Sequence, residues 1–368
     1  GLNTEGNFNT AVGTLALEAN TTASNNTAVG TNALKTTTTG AENTAVGVGA
    51  LDVNTASYNT AMGVDAGGGT TSGTGNVFMG NAAGASNTTG NCNTAFGKDT
   101  LTANTTACFI TAFGARALQS NTTGVCNTGL GYVALRANTT GCLNVAIGYG
   151  ALDANTTGES NVAIGVDALG VNTTFGSNTA VGWKTLQDST GGFENSAFGN
   201  VAGENVTTGD KNTLIGSNAG INVTTGTNNQ IFGQLAGTDA VRDVSTGSNN
   251  IVIGNNAAAT AHIKIDWTVT SDERDKTEIE DVPHGLDFVN QITPIKYKFK
   301  KSREDDTPHG PKKYGFKAQE ILALEGDDNV IISNDDEENL KLTSAHLIPV
   351  LVNAIKELKA EIELLKNK

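Results

Sequence analysis

Ser271 and Lys276 stand five residues apart in the stretch VTSDERDKTEI, which runs from Val269 to Ile279. A serine hydroxyl becomes a useful nucleophile only when a base takes its proton, and a lysine amine serves as that base only where burial or a neighbouring charge lowers its pKa. If the short loop between them folds back, the amine reaches the hydroxyl and the pair has the parts needed for acyl transfer. Asp272 and Arg274 lie within that loop, suited either to orienting it or to stabilising an oxyanion. With Glu273 and Asp275 the same residues also make an ordinary solvated charge cluster. The surroundings of the stretch must therefore decide between the two.

Other candidates for chemistry are few. His262, His284, His309 and His346 are scattered and read as structural, and no carboxylate pair or phosphate-binding loop stands out. Cys92, Cys108, Cys126 and Cys142 recur at spacings of 16, 18 and 16 residues without a CxxC or a Cys/His cluster. A metal site is therefore not expected, nor any cofactor. Free thiols filling small positions are the plainer expectation, with disulfide or inter-chain pairing as the alternative.

The elements that must position Ser271 and Lys276 come in two kinds. Upstream the chain is a repeat: NTAVG closes at Gly13, Gly30 and Gly47, and variants follow every 17 residues with one interval of 16. A last copy, NNIVIG, ends at Gly254 after an insertion around 239–248, which makes fifteen copies. One unit, Asn26 to Glu42, holds a short β-type run (Thr27, Ala28, Val29), a glycine, the apolar pair Ala33 and Leu34, and a Thr/Asn/Gly turn. Runs this short do not make helices of ordinary length, so the fold class is mainly β: a β-solenoid of about fifteen coils. Stacking places Val29 over Val12 and Val46, and these are expected to share a narrow core. Ala28 and Gly30 point the other way, and that small face is expected to let another chain approach. At about 4.7 Å per stacked strand the shaft would be about 70 Å long.

The 368 residues carry a net charge of −14, with 38% hydrophobic and 5% aromatic residues. That balance argues against nucleic acid as a partner, because phosphate binding needs clustered Lys and Arg. No run approaches the length of a membrane helix, and GLNTEGNFNT lacks the basic and apolar regions of a signal peptide. Up to Ile265 there are 8 Lys or Arg and 15 Asp or Glu, against 15 and 22 in the remaining 103 residues. A nearly neutral shaft suits a surface made of Thr and Asn. Asn121-Thr122-Thr123 and Asn138-Thr139-Thr140 read as solvated turns rather than as an ice-binding face, and their match to glycosylation acceptors is nearly unavoidable in such a composition.

The repeats, with NVAIG at Asn144–Gly148 and Asn161–Gly165, resemble the heads of trimeric autotransporter adhesins, whose repeats form a trimeric β-roll, and also those of bacteriophage tail and appendage fibres. Past the strand-like HIKIDWTVT the chain changes character. Ser271, Asp272, Arg274 and Lys276, then YGFKAQEI (Tyr314–Ile321), then HLIPVLVNAIKEL (His346–Leu358) resemble the intramolecular chaperone auto-processing domain at the end of phage endosialidases, tail spikes and fibres. The resemblance implies self-cleavage between Thr270 and Ser271. The residue types then make Ser271 the nucleophile and Lys276 the base, with Asp272 and Arg274 in support. Gln319 and Glu320, in a stretch that packs near the processing site in the family, either support it too or are exposed helix positions.

After Thr343 or Ser344, either of which can cap a helix, Ile348, Leu351, Ile355, Leu358, Ile362 and Leu365 follow a 3-4 spacing. This is a coiled-coil seam over 344–368, with Pro349 kinking it or marking its true start. Ile at a and Leu at d favour two strands by propensity, and it is the fibre and chaperone resemblances that imply a seam for trimerisation. TPIKYKFK, Thr293–Lys300, reads as a strand, and a helix is expected from about Lys317.

The expected organisation is a shaft over 1–254, a connecting strand over 255–270 and a small α+β chaperone domain over 271–368. The function it points to is a phage tail fibre or appendage protein, a homotrimer assembled in the host cytoplasm and carried on the virion. Its other partners would be neighbouring tail or appendage proteins and a host receptor or glycan, with no nucleic acid and no membrane insertion. The alternatives are a trimeric cell-surface adhesin without processing and an ice-binding solenoid.

Overall fold

A computed structural model describes residues 3–238, 244–255, 271–300, 305–326, 329–334 and 340–367. The chain divides into two compact units, 1–255 and 256–368. In the first, fifteen strands of three residues each, from Thr10–Val12 to Ile251–Ile253, form one parallel sheet in sequence order. This is a β-solenoid with one strand per coil. Register is kept from coil to coil: Val12 pairs with Val29 and Val29 with Val46.

The inside and outside of that sheet are the reverse of what residue size suggests. Ala28, Ala45 and Ala146 are fully buried, whereas Val12 is 57% exposed, Phe113 48% and Ile253 61%. The Val29 column is thus stacked as expected but faces outward, and the Ala28 face is core rather than interface. The cause lies across the coil: Leu34, Leu51, Leu118 and Leu152 fill the interior from the opposite wall, leaving room only for a methyl group on the strand. These leucines hold φ of +50° to +51°, a left-handed corner that costs a non-glycine residue about 1–2 kcal/mol. Burial of a leucine side chain contributes about as much or more.

The size relation between strand and corner shows best where it is exchanged. Phe78 replaces the strand alanine, and glycines replace the corner leucines on either side of it. A Cβ on Gly67 would come 2.7 Å from the Phe78 ring and one on Gly84 2.5 Å. Leu214 stands in the same way between Gly203 and Gly220. Core volume is conserved while its contributors change.

Asparagine also has another place than the surface. Asn26, Asn43, Asn59 and their equivalents as far as Asn229 are fully buried, one per coil except where Ile110 takes the place. Each side-chain oxygen accepts from the backbone N–H at the same place in the next coil, as Asn144 Oδ1 does from Asn161 N at 3.0 Å, and each amide donates to the next coil, as Asn144 Nδ2 does to Gly158 O at 2.8 Å. A second buried column runs through Asn121, Asn138 and Asn155, so these glycosylation-like triplets present no exposed amide. Their threonines are not merely solvated: Thr122, Thr139 and Thr156 donate to the carbonyls of Thr139, Thr156 and Thr173 at 3.0 Å. The four cysteines are free.

The second unit is a small α+β domain. Helix α1 (Leu286–Gln291) precedes an antiparallel pair of strands, Ile295–Lys300 with Pro308–Gly315. Then come α2 (Ala318–Glu325), the strands Ile332–Ser333 and Lys341–Leu342, and α3 (Leu347–Lys366). Phe288, Ile321, Ile331, Ile332, Leu347 and Val350 form the core. The buried Glu325 carboxylate accepts from the N–H groups of Val330, Ile331 and Ile332, which ties the loop after α2 to it. Neither Thr343 nor Ser344 caps α3: a 3-10 turn over Ser344–His346 leads into it without a side-chain cap. Pro349 lies in the first turn of α3, where its missing N–H has no carbonyl to lose.

Candidate functional site

The site is built on a single turn. A 3-10 turn over Glu273–Asp275 is capped at its start by Asp272, whose side chain accepts from Arg274 N at 2.9 Å, and closed by the N–H of Lys276 on Glu273 O at 3.1 Å. This turn reverses the chain within five residues and returns Lys276 to Ser271. Lys276 Nζ lies 3.0 Å from Ser271 Oγ and 3.1 Å from Ser271 O. Both residues are exposed. The partner on the other side of the chemistry, Thr270, lies outside the described residues, as does the connecting stretch from 256 with His262 and Trp267.

Asp272 and Arg274 engage each other. Arg274 Nη2 meets Asp272 Oδ2 at 2.6 Å and Nε meets Oδ1 at 3.0 Å, a two-pronged pair that uses the planar guanidinium. The Arg274 side chain first, and its backbone N–H second, hold the Asp272 carboxyl below its ordinary value; the same bond raises Arg274. The pair therefore closes the turn, and its charges are spent on each other. Gln319 is exposed at the start of α2. Glu320 accepts from Thr293 Oγ1 at 2.9 Å, and its second oxygen is buried without a partner. Among the described residues no hydrogen bond joins Gln319 or Glu320 to the Ser271–Lys276 turn.

The seam residues of α3 are all in the open: Ile348, Leu351, Ile355, Leu358, Ile362 and Leu365 are between 43% and 69% exposed. Its other side holds the chain that follows the turn. Asn353 Nδ2 donates to the carbonyls of Val282 and His284 at 3.3 and 3.0 Å, and Glu357 Oε2 accepts from Leu286 N at 2.6 Å. Sequence reasoning missed these two residues. The one trace of them is that α1 begins after Gly285 with no capping side chain of its own, which requires a cap from elsewhere. Among the described residues no cluster of His, Cys, Asp and Glu is arranged to hold a metal ion.

Residues 271–330 match the family model Peptidase_S74, chaperone of endosialidase. The match begins on Ser271 itself. The carboxy-terminal unit is a chaperone of this type, and with the solenoid before it the chain has the build of an endosialidase-type fibre with a carboxy-terminal chaperone. No curated protein and no solved structure matches the chain.

Proposed function

We propose that the protein is the precursor of a bacteriophage tail fibre or appendage, whose chaperone domain aligns three chains, guides the solenoid into register and is then released by its own cleavage between Thr270 and Ser271. The observation that carries this reading is the Lys276 amine 3.0 Å from the Ser271 hydroxyl, on the first residue of the family match.

In the proposed step association covers the turn, which is exposed in the single chain, and so supplies the burial that a lysine base needs. The Lys276 amine then takes the Ser271 hydroxyl proton while Oγ attacks the carbonyl carbon of Thr270. The O–C bond forms and the C–N bond breaks. Lys276 returns the proton to the Ser271 nitrogen, leaving an ester that water hydrolyses to a Thr270 carboxylate and a free Ser271 amino terminus. Each chain turns over once. The Asp272–Arg274 pair shapes the turn that makes the approach possible.

Association has two supports. The α3 seam is an exposed run of Ile and Leu at coiled-coil spacing. The shaft carries an uncharged outward column, which includes Val12, Met62, Phe96, Leu130, Phe198 and Ile253, all exposed. A stripe that repeats at the strand spacing over the whole shaft is matched along its length by a surface of the same period, which another copy of this chain supplies. Three copies is the number the fibre resemblance implies. The assembled shaft would serve as a spacer or receptor-binding part of the virion, joined to other tail or appendage proteins.

Mass spectrometry of freshly expressed protein tests the reading. Fragments 1–270 and 271–368 are expected from the natural sequence, and one intact chain from Ser271→Ala or Lys276→Ala. An assembled natural chain that stays whole would make it an unprocessed adhesin-like fibre instead.

A further inference from the structure

Helix α3 divides its surface between two tasks. The coiled-coil positions are exposed, while Val350 and Ala354 are buried and share a stripe with Asn353 and Glu357 at the i, i+3, i+4, i+7 spacing of one helix face. The polar members of that stripe do not bond other side chains. They take hold of backbone, at Val282 and His284 through Asn353 and at Leu286 through Glu357.

The fit at Leu286 is close. A Cβ on Gly285 would collide with the Glu357 carboxylate, so the glycine is what lets the carboxylate reach the amide beside it. Glu357 also caps the first turn of α1 with a negative charge, the sign that the start of a helix favours. Asn353 satisfies two carbonyls flanking Pro283, a residue that has no N–H of its own to organise the bend.

The position of this clasp in the chain gives it meaning. Val282 comes six residues after Lys276, and residues 277–281 between them are exposed and form neither helix nor strand. The clasp is thus the first fixed point downstream of the Ser271–Lys276 turn, and it sits on the helix whose opposite side is the seam for association. We infer that Asn353 and Glu357 are positioning residues for the proposed cleavage, tying the Ser271 turn to α3 so that association of α3 also restrains the turn. The inference rests on the proposed self-cleavage. Releasing the clasp lengthens the free tether behind Lys276, and each doubling of such a tether lowers the chance of a given closure about threefold.

The test uses the full chain, with cleavage followed over time on denaturing gels and native mass measured in parallel. Glu357→Ala, Asn353→Ala and Gly285→Ala, the last reaching the clasp without altering α3, are each expected to slow cleavage about threefold to tenfold at unchanged native mass. Glu357→Gln, which keeps an acceptor oxygen at the same reach, is expected to recover most of the natural rate. Natural rates in all three variants would overturn the inference. So would loss of native mass in all three, since the clasp would then be support for the domain alone. If the natural chain itself stays whole, the proposed cleavage falls and this inference with it; natural cleavage beside unaffected variants sinks only the clasp.

Discussion

The two units bury different things and are specific in different ways. In the shaft, each contact recurs 17 residues on, as when Asn161 N bonds Asn144 Oδ1 and Asn144 N bonds Asn127 Oδ1. In the chaperone domain each contact occurs once: Leu286 reaches 71 residues ahead to Glu357, and Glu325 gathers three particular amides. A repeated surface that slips by one coil keeps nearly all its contacts, so register between shafts is weakly specified by the shafts themselves. A domain of unrepeated contacts has no second register to fall into. On the proposed assembly, the difference would explain why a shaft of this kind carries a small domain to define one alignment. It also explains why severing that domain afterwards would make the assembled shaft hard to undo by the route that made it.

The comparison is broken most severely at the α3 seam. Ile355 is 67% exposed, so Ile355→Asp leaves the single domain intact, but in an association along the seam it buries unpaired charge. The expected penalty is about 3–5 kcal/mol per chain. Native mass spectrometry should find single chains and mis-assembled material in place of the one closed assembly proposed for the natural protein. An unchanged assembly would mean that the shaft sets its own register, against the contrast drawn above.

Within the shaft the contrast sharpens at Phe78. Phe78→Ala opens the space between Gly67 and Gly84 and should cost about 3–5 kcal/mol. Leucine added at Gly67 and Gly84 in the natural background should crowd the ring and cost about 1–3 kcal/mol. All three changes together restore the alanine-and-leucine arrangement of neighbouring coils, whose leucines already tolerate left-handed φ, as Leu51 does at +51°. The triple variant should melt close to the natural protein, and the shortfall from additivity measures how far the core is interchangeable.

Much of this was legible in the amino-acid sequence, and the misreadings have physical causes. The 17-residue period, the coil and the strand TAV can be read directly because each copy repeats them. Which strand face points inward cannot be read from size alone, since Val29 outweighs Ala28 and yet the room inside is set by Leu34 across the coil. The exchange of Phe78 for the flanking glycines was the available signal. Asparagine reads as a turn residue because it tolerates left-handed φ, but its presence before the strand in all coils except that of Ile110 marks a column with one job. At the site, the approach of Ser271 to Lys276 was legible because it is local. The hold of Asn353 and Glu357 was not, because a backbone group gripped from 71 residues away leaves no spacing to recognise.

The smallest effects, and the finest test of the contrast, lie in that asparagine column. Asn144→Ala removes the acceptor of Asn161 N–H and the donor to Gly158 O, both away from water, and should cost about 2–3 kcal/mol. Fast amide exchange should be confined to Asn161 and its neighbours if coils hold one another only through adjacent layers. Ile110 supplies the reverse experiment. Its N–H donates to Asn93 Oδ1 at 3.0 Å, but it has no side-chain oxygen to offer Asn127 N, so the ladder stops there and resumes one coil on. Ile110→Asn should continue the ladder and stabilise the shaft by about 1 kcal/mol, against the ordinary expectation for a polar residue placed in a core. Should it destabilise instead, the buried asparagines are tolerated by the stack rather than holding it, and the regularity of the shaft rests on its alanines and leucines alone.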